Sequence, residues 1–187
     1  MANINRGFLA TLGPAFIALM YQAIDEDERS VLIVAERGGR IVGFVAGAMG
    51  MGAIYRRMLR HWPQLFLALL PSAVRPRRLW RILEILRYSR CSGATQLPRA
   101  ELLSIAVDPG YRDQKIAESL FRQLCAFFKA MEMSEFKIIV GAALAPAHKF
   151  YLRMGATPTS EVQVHQGTSS TVYVCTLTQD ASQAASS

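Results

Sequence analysis

The run Glu101–Ala117, ELLSIAVDPGYRDQKIA, restricts this chain more than any other stretch. Its apolar first half predicts a strand over Glu101–Val107, and Asp108-Pro109-Gly110 predicts a turn. A long helix follows over Asp113–Met131, with Ile116, Leu120, Leu124 and Phe127 as the expected buried stripe. The end of a strand and the start of a helix are thereby brought to one point. The first turn of a helix leaves several backbone N–H groups unpaired at the positive end of the dipole, which suits a phosphate. Arg112 and Lys115 add cationic side chains there, although the same residues also fit a plain solvated helix start.

Around that stretch the periodicity predicts further elements. A short strand is expected near Asn3–Gly7, and a helix over Pro14–Ile24 carrying Phe16, Ile17, Met20 and Ile24 at helical spacing. Val31–Glu36 and Arg40–Ala48 read as a β-hairpin turned by Gly38-Gly39. Tyr55–Leu70 and Pro76–Tyr88 read as two amphipathic helices, the second striped by Leu79, Ile82, Leu83 and Leu86, and Ser89–Pro98 as a loop. Phe136–Val140 is a short apolar strand, and Pro146–Met154 a helix closed by Gly155. Thr159–His165 and Thr171–Leu177 form a last hairpin around Gly167. The order predicts an α+β domain over residues 1–178: a mixed, mostly antiparallel twisted sheet, helices on both faces, a two-helix insert at 51–90, and a disordered tail at 179–187.

Charge is unevenly placed. Residues 51–90 hold nine arginines against the single acid Glu84, a net +8 in a chain of net +7, so the basicity is local. No apolar run approaches the roughly 18 residues that cross a bilayer, and the N-terminus lacks a secretory signal, so a cytoplasmic protein is expected. Cys91, Cys125 and Cys175 are odd in number and have no metal-ligand spacing. Cys125 and Cys175 fall in helix and strand patterns and read as small core residues of a reducing compartment. No metal site is expected.

A second constellation is Ala147–Ala156, AHKFYLRMGA. Its helix places one of Phe150 and Tyr151 in the core and leaves the other to face the strand ends, where a Tyr hydroxyl could donate a proton to a leaving thiolate. A simple core aromatic pair fits the residues too. Taken together, V-D-P-x-Y-R-x-x-x-I-A and, some 30 residues on, A-x-x-F-Y-x-x-x-G resemble the GNAT superfamily of N-acetyltransferases, over roughly residues 30–48 and 100–177.

The resemblance implies acetyl-CoA as cosubstrate and a strand Leu102–Val107 that splays from Phe136–Val140. Backbone around Ile105, Ala106 and Val107 would pair with the pantetheine arm. The amides of Arg112, Asp113, Gln114, Lys115, Ile116 and Ala117 would bind the pyrophosphate, Phe150 would pack beside the cofactor, and Tyr151 would protonate the coenzyme thiolate. Two positions depart from the family pattern: Lys115 stands where the loop R/Q-x-x-G-x-G/A has its middle glycine, and Leu144 where an Asn commonly precedes the helix. The amine nucleophile must lose a proton, and Glu101 is the first candidate to accept it, ahead of Glu36. His148, on the helix face away from Tyr151, and His165, beside a hairpin turn, read as surface residues.

The expected acceptor is a small-molecule amine. Three readings of the Arg-rich insert stand: a packed lid or homodimer interface; a clamp for a phosphorylated acceptor such as a nucleotide-linked amino sugar of bacterial surface-polysaccharide biosynthesis; or a peripheral membrane contact through residues 55–88. A degenerate, non-catalytic acyl-CoA-binding module is the alternative to an enzyme. Nucleic-acid binding ranks last, because the arginines sit in one apolar-rich insert without a recognised motif.

Overall fold

In the computed structural model, residues 14–50, 54, 57, 58, 60, 97–165 and 168–177 are described. They form α1 (Pro14–Asp25), β1 (Ser30–Arg37), β2 (Arg40–Ala48), β3 (Glu101–Val107), a 3-10 turn (Pro109–Tyr111), α2 (Ile116–Ala130), β4 (Glu135–Gly141), α3 (Ala145–Arg153), β5 (Thr157–His165) and β6 (Thr168–Thr176). Every expected element inside these residues is present, and only the ends shift. The strand near Asn3–Gly7, the tail, most of the two-helix insert and most of the loop at 89–98 lie outside the described residues. Within the insert, Ile54, Arg57, Met58 and Arg60 are helical.

The strands build one sheet in the order β1-β2-β3-β4-β6-β5. Pairing is antiparallel between β2 and β3, β4 and β6, and β5 and β6, and parallel between β3 and β4. The parallel pair sits between two antiparallel halves, which gives a mixed α/β fold. By contacts the chain divides into two compact units, residues 1–32 with 50–96, and residues 33–49 with 97–187.

In the first unit, Leu19, Met20, Ala23 and Ile24 form the buried stripe of α1. Its C-terminal turn is fixed by side chains. The Ser30 hydroxyl donates to Asp27 Oδ2 at 2.7 Å, and Arg57 lies 3.5 Å from Asp27 Oδ1 while also donating to the Glu26 carbonyl.

In the second unit, β2 and β3 carry α2. The buried residues of α2 are Ile116, Leu120, Phe121, Leu124 and Phe128. Phe128 thus takes the place expected of Phe127, which is half-buried. The face widens toward Phe121 and Phe128 because both rings pack on Phe136 of β4, with centroids 5.8 and 5.1 Å away.

Helix and sheet meet closely at Gly47, beside a register shift between Ala46 and Gly47. A Cβ there would run into Leu124 Cδ1 and lie 3.0 Å from Phe128 Cζ. Both neighbours are fully buried and have no free space to retreat into. Gly47→Ala is therefore expected to lower stability by about 1–3 kcal/mol, the usual cost of overpacking. Denaturant unfolding measures it, and an unchanged midpoint would mean that α2 does not seat on β2 in this way.

Candidate active site

The site begins where the β3–β4 ladder stops. The two strands pair only at Glu101↔Lys137 and Leu102↔Ile138, although β3 runs on to Val107 and β4 to Gly141. On its other side β3 stays paired with β2 as far as Gly43↔Val107. Ile105, Ala106 and Val107 therefore keep one strand neighbour and are half-buried along a notch that opens toward the strand ends. This is the divergence expected of Leu102–Val107 and Phe136–Val140.

The closed end of the notch is clasped by Lys137. Its Nζ lies 3.5 Å from Glu101 Oε2 and donates to the Pro98 carbonyl at 3.0 Å, while its backbone N–H donates to the Ala100 carbonyl at 2.9 Å. The Glu101 carboxyl is held above its ordinary range. Burial drives it up and outweighs Lys137, which opposes as a charge and as a hydrogen-bond donor.

At the open end the chain turns through Asp108, whose side chain accepts from the Gly110 N–H at 2.9 Å. The Asp108 N–H donates to the Val42 carbonyl at 2.8 Å, tying the turn to β2. Asp113 and Lys115 then take left-handed backbone angles, φ 61° and 58°. The helix consequently starts at Ile116 and not at Asp113, since left-handed residues cannot join a right-handed helix.

Arg112, Asp113, Gln114 and Lys115 are exposed ahead of the helix, Ile116 is buried and Ala117 is half-buried. The first helical bond runs from the Ser119 N–H to the Lys115 carbonyl, and Lys115 makes no side-chain cap. The amides of the first turn are thus left by the helix for another acceptor. Glu118, the acid of that turn, is drawn 3.1 Å from Arg153, which offsets its repulsion for a bound anion.

The third wall is α3. Its N-terminus is fixed on the end of β4, because the Gly141 carbonyl accepts from the Leu144 N–H at 2.9 Å. Leu144 is exposed and gives no side-chain cap, and Gly155 closes the helix at φ 86°. Of the two aromatics Tyr151 is the buried one, among Phe121, Tyr173 and Phe150 at 6.2, 6.3 and 5.3 Å between centroids. Burial pushes its phenol above the ordinary value. Phe150 is half-buried, set edge-on to Phe121 at 5.9 Å under the Arg153 guanidinium.

The reading of His148 as a surface residue is corrected. It is half-buried, with Nδ1 2.8 Å from the Tyr173 hydroxyl and Nε2 3.2 Å from the Gly141 carbonyl. A carbonyl only accepts, so Nε2 carries the proton in this network and Nδ1 accepts from Tyr173. Tyr173 is the site residue that sequence reasoning missed. It lies 25 positions from His148, and in the sequence only the alternation of β6 marks it as inward-facing. Glu36 is exposed near the end of β1, and the side chain of His165 lies outside the described residues.

Comparison with known proteins agrees with this fold. Residues 4–156 match the model of the acetyltransferase (GNAT) family. Among solved structures, the ribosomal-protein-S18-alanine N-acetyltransferase of Escherichia coli is similar at 14% identity, covering 93% of this chain and 92% of that one, with a TM-score of 0.52. A putative streptothricin acetyltransferase of Bacillus anthracis, in complex with acetyl coenzyme A, is similar at 12% identity over 83% and 67%, with a TM-score of 0.55. A PaiA N-acetyltransferase of Thermoplasma acidophilum, in complex with coenzyme A, reaches 11% over 86% and 69% at a TM-score of 0.52. No curated protein matches the sequence.

Two expectations follow for stability. A non-glycine residue in the left-handed region costs about 1–2 kcal/mol, partly offset by glycine's greater freedom when unfolded, so Lys115→Gly should raise stability by about 0.5–1 kcal/mol. An unchanged or lower melting temperature would count against the left-handed Lys115.

The raised carboxyl of Glu101 makes the second expectation one of pH. A group that holds its proton more tightly when folded contributes stability below its unfolded value and loses it as pH rises through the folded one. Stability of the native protein relative to Glu101→Gln should therefore fall as pH climbs from the ordinary carboxylate range through that raised value. Were the Lys137 attraction dominant, the difference would move the other way.

Proposed function

The chain belongs to the acetyltransferase (GNAT) family, with acetyl-CoA as cosubstrate, and from that premise we propose that it acetylates the amine of a small molecule by direct transfer within the β3–β4 notch. The observation that carries the reading is the two-pair ladder between β3 and β4. It leaves a strand edge at Ile105–Val107 beside an uncapped helix start, which suits a long, polar, phosphate-bearing cofactor.

In this reading the main chain of Ile105, Ala106 and Val107 binds the pantetheine arm. The amides of Arg112 through Ala117 bind the pyrophosphate, with Arg112 and Lys115 as point charges. Phe150 packs against the cofactor. Acetyl-CoA, when bound, supplies an activated acyl thioester. Tyr151 keeps its phenol proton at neutral pH, because burial disfavours the phenolate, and delivers it to the departing sulfur. That transfer is downhill only where the sulfur is shielded too, since desolvation raises a thiol as well. Glu101 lies at the closed end, some four residues or about 13 Å of strand from Ile105, so it takes the amine's proton through water.

The charge of residues 51–90 supports a nucleotide-linked amino sugar as the finer identity of the acceptor, which would place the enzyme in bacterial surface-polysaccharide biosynthesis. Of its nine arginines, Arg57 is already engaged with Asp27 and Glu26 and is not counted toward that clamp. Among the described residues no helix is long and apolar enough to cross a membrane.

Turnover is tested by thiol release across a panel of amines, with thermal stabilisation by acetyl-CoA as the separate measure of binding. Tyr151→Phe should lower turnover about 100-fold while leaving the stabilisation intact, the pattern of a lost general acid. Unchanged turnover would remove Tyr151 from that role. Stabilisation with no thiol release for any amine would point to a non-catalytic coenzyme-binding module, and no stabilisation at millimolar coenzyme would sink the proposal.

A further inference from the structure

The helix that carries Tyr151 is lightly fastened. α3 has nine residues, Leu144 gives it no side-chain cap, and Tyr151 is its one buried residue. The side chain of Arg153, which ties α3 to Glu118, is 63% exposed, so that ion pair contributes little. The rings of Phe121 and Phe150 hold Tyr151 by apolar contact, which is non-directional. A short helix held in this way alone is free to roll about its axis.

Directional contacts come from His148. Its Nε2 donates to the Gly141 carbonyl at 3.2 Å, and its Nδ1 accepts from the Tyr173 hydroxyl at 2.8 Å. One side chain is thereby pinned to the end of β4 and to β6 at once. The Gly141 carbonyl also accepts from the Leu144 N–H, so both of its lone pairs are taken up by α3 and the residue before it. His148 precedes Tyr151 by three residues, the spacing of neighbours on one helix face. Tyr173 adjoins both, its ring centroid 5.7 Å from that of His148 and 6.3 Å from that of Tyr151. Tyr173 is buried, so its hydroxyl needs a partner, and His148 is that partner.

We propose that His148 and Tyr173 are positioning residues for acetyl transfer: their hydrogen bond fixes the roll of α3, and thereby where the Tyr151 hydroxyl meets the departing sulfur. The inference rests on the reading of Tyr151 as proton donor. Proton delivery needs hydrogen-bond reach, roughly 2.6–3.2 Å between heavy atoms, so a small displacement of Tyr151 slows it. Coenzyme binding depends chiefly on the edge of β3 and the start of α2. Those are held by other contacts: the Asp108 N–H on the Val42 carbonyl, the Asp108 turn, and the buried face of α2. The pair therefore acts on the rate of transfer and not on affinity for the coenzyme.

The test is steady-state thiol release by the full chain, with an amine that the native protein turns over. Tyr173→Phe and His148→Ala should each lower kcat about 10-fold, with KM for acetyl-CoA within about twofold of native. The double variant should be no slower than either single one, as expected of residues that act as a unit. His148→Asn, which keeps an acceptor near the place of Nδ1, should recover most of the rate. In a Tyr151→Phe background Tyr173→Phe should cost nothing further, because its effect passes through the missing hydroxyl. Should His148→Ala fail to fold, Tyr173→Phe, which removes one oxygen, decides alone. Full turnover in Tyr173→Phe, a further loss in the Tyr151→Phe background, or a loss confined to KM would each overturn the inference while Tyr151→Phe itself stays slow. A native chain that releases no thiol, or full turnover in Tyr151→Phe, would overturn the reading of Tyr151 and this inference with it.

Discussion

The site depends on a ladder that closes at one end and stays open at the other. Parallel pairing is slightly the less stable kind per residue, so it gives way where each strand has an antiparallel neighbour to hold it. At the closed end Lys137 ties β4 to Glu101 of β3 and to the Pro98 and Ala100 carbonyls of the segment that leads into it. Beyond Leu102 each strand is held by its outer neighbour instead, β3 by β2 as far as Val107 and β4 by β6 as far as Gly141. The notch is thus held open by antiparallel pairing that runs to the strand ends on both flanks.

What fixes the helix beside that notch is packing. Gly47 lets Leu124 and Phe128 sit directly on β2, and Gly43 does the same for Leu120, whose Cδ1 would lie 3.3 Å from an added Cβ. Those contacts place the axis of α2, and the Asp108 turn fixes the chain that leads into it. The exposed loop between them then needs little sequence of its own. That is consistent with Lys115 holding a left-handed backbone in a position where the family pattern has glycine.

Most of this was legible in the sequence, because hydrophobic period and turn chemistry are local. The strand at Glu101–Val107, the hairpin at Gly38-Gly39 and the glycine stop at Gly155 follow from neighbours a few residues apart. What the pattern missed are meetings between distant positions. Nothing in the spacing of Phe127 and Phe128 says which will find Phe136. Nothing near His148 announces Tyr173. The start of α2 was misjudged for a different reason: charged, helix-compatible residues at Asp113 and Lys115 conceal a backbone choice that glycine would have advertised.

In the proposed reading, both departures from the family pattern lie at helix starts where main-chain amides would meet the cofactor, with the Lys115 charge added to them. Lys115 and Leu144 replace residues whose neighbours' amides would still face the same way, since the amides of α2 are oriented by its docking and the start of α3 by the Gly141 carbonyl. A site assembled from strand edges and helix ends tolerates side-chain change so long as the packing behind it is kept, which agrees with a shared fold at 11–14% identity. Tyr151 is the exception. Its proposed contribution is a hydroxyl and a buried setting, neither of which backbone can replace, and so it is the position at which substitution separates chemistry from binding.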